Sequence, residues 1–122
     1  MIAHIVLFRP KPDLSDADRA SLASAFERAL HDIPSIRRAT IGRRLRHGAA
    51  YEQLSREDYP YVAIIEFDDA AALEVYLRHP AHTEPAQRFY AGMDAAVVFD
   101  YETIAGRGAE LSLADWLGTT AR

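Results

Sequence analysis

The chain predicts an α+β sandwich, with helices laid on one face of a four-stranded antiparallel sheet. Three observations carry that prediction. Short segments suited to strands occur at four places, apolar residues at helical spacing lie between them, and the order is strand, helix, strand, strand, helix pair, strand. That order is the ferredoxin-like split βαβ arrangement. At 122 residues the chain is one domain long, enough to bury roughly two-thirds of its unfolded surface in a single core.

In the first strand Ile2, His4, Val6 and Phe8 alternate with Ala3, Ile5 and Leu7, so both faces are largely apolar and the strand is covered on two sides. His4 therefore projects with Val6 and Phe8 toward apolar surroundings. Pro10 and Pro12 close the strand, and Ser15-Asp16-Ala17-Asp18 has the pattern of a capping box. The helix it opens carries Leu22, Phe26, Ala29, Leu30 and Ile33 at helical spacing and ends at Pro34. A second strand is expected from about Ile36 to Arg46, followed by a polar loop containing Gly48 and Pro60. The third, Tyr61 to Asp68, places Tyr61, Ala63, Ile65 and Phe67 on one side and Val62, Ile64 and Glu66 on the other.

Asp68 or Asp69 is suited to cap a second helix, in which Leu73, Tyr76 and Leu77 share a face and aim the tyrosine inward. Pro80 disfavours helix at His79. A restart is expected at Thr83 or Glu84, with Pro85 in the first turn and Ala86, Phe89, Tyr90 and Met93 inward. Ala95 to Glu102 is the last strand. Residues 1–103 thus form the domain, and residues 104–122 an extension in which Ser112 is suited to cap a short helix bearing Leu113, Trp116 and Leu117.

A formal net charge of −4 argues against a nucleic-acid partner, because such binding draws its affinity from a basic surface. Arg37, Arg38, Arg43, Arg44 and Arg46 form a local exception and read as a solvated strand face. The absence of cysteine excludes disulfides, thiolate metal sites and a cysteine nucleophile. No apolar run approaches membrane-spanning length and the N-terminal stretch lacks signal-peptide character, so a soluble, cytoplasmic protein without a membrane partner is expected. The sheet face turned away from the helices carries apolar residues from several strands. Covering it by packing two sheets face to face makes a homodimer the expected assembly.

The segment Tyr76-Leu77-Arg78-His79-Pro80-Ala81-His82 sets a phenol and two imidazoles around a helix break, a plausible proton-transfer grouping. His4, His79 and His82 lack a carboxylate at a diagnostic spacing, so no metal site is expected. The segment, together with His4-Ile5-Val6-Leu7-Phe8, Ile33-Pro34, Glu66-Phe67 and Val98-Phe99-Asp100-Tyr101, resembles the stress-responsive dimeric A/B barrel domain family over about residues 2 to 102. The resemblance implies a ferredoxin-like homodimer whose two sheets form a dimeric α+β barrel.

Some of that family, of the olivetolic acid cyclase type, are cofactor-independent polyketide cyclases. By this resemblance His82 is implied as general base toward a carbon acid beside a carbonyl. Tyr76 is implied to orient the imidazole or stabilise the developing oxyanion, and His4 to line the same cavity. Phe26 stands where the cyclases have a tyrosine and Tyr61 where they have a histidine; both, with Leu77, are candidates for substrate contact. No cofactor is implied. Two functions follow as expectations: a cyclase, lyase or isomerase acting on a small carbonyl compound, or a noncatalytic stress-associated homodimer binding a small hydrophobic ligand. A monooxygenase of the related superfamily fits less well, because those relatives commonly use an asparagine and this chain has none.

Overall fold

A computed structural model describes residues 1–107 and 113–118. The elements are β1 (Ile2–Pro10), α1 (Asp16–Asp32), β2 (Arg38–Arg43), a 3₁₀ turn (Ala50–Gln53), β3 (Tyr61–Phe67), α2 (Ala70–Arg78), α3 (Pro80–Ala91), β4 (Met93–Glu102) and α4 (Leu113–Leu117). The four strands make one antiparallel sheet in the order β2-β3-β1-β4. This is the ferredoxin-like α+β fold that the pattern predicts.

Helices α1, α2 and α3 each begin where the sequence supplies an acceptor. Ser15 Oγ accepts from the Asp18 N–H at 3.0 Å and Asp69 Oδ1 from the Ala72 N–H at 2.8 Å. Each satisfies a donor that the first turn would otherwise leave unpaired. The restart of α3 differs from expectation: the helix begins at Pro80 rather than at Thr83 or Glu84, and Pro85 lies inside it. Proline at the first helical position has no N–H to lose there, and His79 takes the cap, so the break is a single residue wide.

Strand limits shift as well. β2 is only six residues long, shorter than the expected stretch from Ile36 to Arg46, while β4 begins at Met93. The arginines in and around β2 are mostly paired: Arg37 with Asp68, Arg38 with Glu66, and both Arg44 and Arg46 with Asp58. The Arg44 hydrogen bond, with Arg46 adding to it, holds the half-buried Asp58 carboxyl below its usual range and ties down the β2–β3 loop.

The core lies between β1 and β3 on one side and the helices on the other. Ile33, Ile65 and Phe67 are fully buried, with Ala29 and Tyr76 packed among them. Burying an isoleucine or phenylalanine side chain stabilises the fold by about 1.5–3 kcal/mol. At the turn from α3 into β4, Gly92 lets α1 approach closely; a Cβ there would stand 2.7 Å from Leu22 Cδ1.

Side chains alternate along the strands, so Ile5, Leu7, Val62, Ile64, Val97, Phe99 and Tyr101 stand on the face away from the helices. Phe99 and Tyr101 there are 50% and 51% exposed. In the extension, α4 is exposed throughout and Trp116 is 40% exposed. The expected Ser112 cap lies outside the described residues. No described helix is long and apolar enough to cross a membrane.

Candidate functional site

Tyr76 comes from the last turn of α2 and is 5% exposed, its ring tilted against Phe67 at 5.2 Å between centroids. One residue break later, α3 turns His82 back toward it, and the two ring centroids lie 4.4 Å apart. His4, in the middle of β1 and 5% exposed, meets the other side of Tyr76 edge-on at 5.6 Å. The three side chains line one cavity of about 40 Å³ with Val6, Phe26, Phe89 and Tyr90 among its other walls.

One polar atom of this cavity is without a partner. His82 Nδ1 is buried without a hydrogen bond. Most buried polar groups are paired, so an unpaired imidazole nitrogen beside a phenol marks a place where a ligand or water would bind. Burial holds the His82 imidazole below its ordinary pKa of 6.5, with the nearby Leu77 carbonyl acting in the opposite sense and His4 adding to the lowering. The ring is therefore neutral at pH 7. Burial, with Tyr90 adding to it, pushes the Tyr76 phenol well above its usual range, so it remains a protonated donor.

His79 faces a different task. Its Nδ1 accepts from the Ala81 N–H at 3.0 Å as the cap of α3, which commits that nitrogen to the backbone. Among the described residues no group of three or more His, Asp or Glu could hold a metal ion.

The other sequence candidates divide. Phe26 lines the cavity, and its ring stacks on Phe89 at 5.8 Å. These two phenylalanines also wall a larger, mainly apolar groove of about 350 Å³, which includes Phe8, Leu14, Leu22, Ile41, Tyr61 and Met93. Tyr61 thus belongs to the groove and not to the His–Tyr cavity. Leu77 is 37% exposed and lines neither space. One helical position beyond Tyr76 turns its side chain about 100° from the direction of the tyrosine.

One residue escaped the sequence reading. Asp100 Oδ1 accepts a 2.6 Å hydrogen bond from His4 Nδ1 across the β1–β4 pair. The signal was present in Val98-Phe99-Asp100-Tyr101, but an acid in an otherwise apolar strand does not reveal its cross-strand partner until the register is known.

The model of the stress responsive A/B barrel domain matches residues 2–103. The chain belongs to that family. Among solved structures, it resembles a protein of Arabidopsis thaliana at 20% identity, covering 88% of this chain and 99% of that one with a TM-score of 0.72. A hydroxynitrile lyase from Passiflora edulis matches at 24% identity, 82% and 90% coverage and a TM-score of 0.68. A protein from Thermobifida fusca, described as dimeric, ferredoxin-like and of unknown function, matches at 20% identity, 82% and 88% coverage and a TM-score of 0.63. At these identities the likenesses show the fold alone. No curated protein matches the chain.

Proposed function

We propose that this family member is a cofactor-independent cyclase, lyase or isomerase that moves a proton at a carbon next to a carbonyl in a small apolar substrate. The observation that carries the reading is the unbonded His82 nitrogen beside a buried, protonated Tyr76 in a mainly apolar cavity. One of the two imidazoles that line this cavity, His4 or His82, supplies a lone pair for the proton. A phenol that stays protonated supplies a hydrogen bond to the oxygen on which charge develops, in surroundings where that bond is strong. The hydroxynitrile lyase built on the same fold makes lyase chemistry compatible with the scaffold.

The cavity has room for about one or two water molecules, not for a substrate. In this proposal the body of the substrate lies in the neighbouring groove, and its carbonyl end reaches the cavity when the stacked rings of Phe26 and Phe89, which border both spaces, move apart. The working assembly is a homodimer. Its support is the apolar sheet face with Phe99 and Tyr101 and the dimeric description of a protein of the same fold.

A medium-chain methyl ketone, 2-decanone, tests the reading. The wild type should accelerate exchange of its α-protons in D₂O, followed by proton NMR, and His82→Ala and Tyr76→Phe should each lower that rate by at least about 100-fold. Rates equal to buffer for the wild type would remove the catalytic reading. The apolar groove itself favours one second reading, a noncatalytic dimer that holds a hydrophobic ligand. Saturable 2-decanone binding without exchange would favour it.

A further inference from the structure

His4 is buried in β1, yet the sheet gives it a charged partner. His4 and Asp100 are opposite one another in the β1–β4 register, so their side chains stand side by side on one face. The 2.6 Å contact from Nδ1 to Asp100 Oδ1 is short, as in charge-assisted hydrogen bonds. A carboxylate only accepts, so a proton sits on Nδ1, and Nε2 is bare when that is the ring's single proton. No hydrogen bond to Nε2 occurs among the described residues. The ring lines the cavity edge-on to Tyr76.

His82 differs in the respect that matters for taking a proton. Its burial disfavours the imidazolium, and the cavity's other titratable walls are Tyr76, Tyr90 and His4, none of which offers a negative charge at neutral pH. Only His4 has a carboxylate in contact to offset the cation that a base must become.

We infer that Asp100 is a positioning residue that fixes His4 as the proton acceptor of the cavity, while His82 stays neutral beside Tyr76. The inference rests on the proposed function and assigns the base within that site. In the step, the α-proton passes to Nε2 of His4 and the C–H electron pair forms the enolate double bond. The carbonyl π pair moves to oxygen, which accepts a hydrogen bond from the Tyr76 phenol. The resulting imidazolium faces the Asp100 carboxylate, and the proton returns to the product carbon to close the cycle.

Nitrogen-15 NMR of the imidazoles in the full-length, ligand-free protein tests this together with 2-decanone exchange. Asp100 is partly exposed, so Asp100→Ala should fold. The wild type should show the Nδ1–H tautomer at His4 and the variant a mixture. Exchange kcat should fall at least about tenfold in Asp100→Ala with KM unchanged, and Asp100→Glu should recover part of it. An Nε2–H tautomer in the wild type, or an Asp100→Ala variant with tautomer and kcat unchanged, would overturn the inference. Exchange lost in His82→Ala but kept in Asp100→Ala would overturn it and leave the proposed function standing. A wild type that exchanges no ketone ends the catalytic role of both histidines, and the tautomer then decides alone whether Asp100 sets the ring.

Discussion

At the scale of single residues, the site is a set of groups whose surroundings push them toward neutrality. His82 is the clearest case, because burial lowers its pKa in the folded state below the ordinary 6.5. The unfolded chain therefore binds more protons at this position as the pH falls. The stability that depends on a neutral His82 is complete above about pH 6.5 and is lost as the pH drops from there through the lower folded value. Urea denaturation between pH 7.5 and 5 should show this decline, and His82→Gln should make it shallower. Identical slopes for the two proteins would contradict the burial described here. Tyr76 and His82 were legible as a pair because the proline break between them is visible in sequence. Asp100 was not, because its role exists only once β4 lies beside β1. The exposure of Leu77 was not legible either, because its helical position sits near the edge of the apolar stripe, where sequence spacing cannot separate buried from half-exposed.

At the scale of elements, the junction of α2 and α3 positions the chemistry. His79 ends one helix and caps the next, with its backbone N–H returning to the Tyr76 carbonyl and its side chain receiving the Ala81 N–H. Both flanking rings, Tyr76 and His82, are thereby held by the same single-residue break. The pattern showed that a break exists, but its width depends on whether the proline sits at the first helical position, and here it does. The sheet's open face is the other element-level feature. Alternation of apolar residues made it readable from sequence, since Val62, Ile64, Val97 and Phe99 fit no one-sided burial. If a second copy covers this face, Phe99→Glu places an unpaired charge in the interface. Sedimentation should then show the wild type as a dimer and the variant with at least about tenfold weaker association, near 1.4 kcal/mol. A monomeric wild type, or a variant that dimerises equally well, would contradict this assembly.

At the scale of the whole molecule, the fold divides labour between its two ends. Residues of β1, α2 and α3, with Phe26 of α1, build the small His–Tyr cavity, while α1 and the ends of the strands, with Phe89 of α3, build the larger groove. The succession of strands and helices and the identity of the His–Tyr grouping followed from periodicity and breaks. The groove and its Phe26–Phe89 partition did not, because they arise from how α1 leans on α3 and not from any local pattern. The central claim is that one ligand spans both spaces with its carbonyl at Tyr76. Nuclear Overhauser contacts from bound 2-decanone measure this most directly. The account predicts contacts from the alkyl tail to Phe8, Leu22 and Met93 and from the methyl group beside the carbonyl to Tyr76 and His82. Contacts confined to Phe99 and Tyr101 on the open face of the sheet, or a carbonyl end lying away from Tyr76, would contradict it.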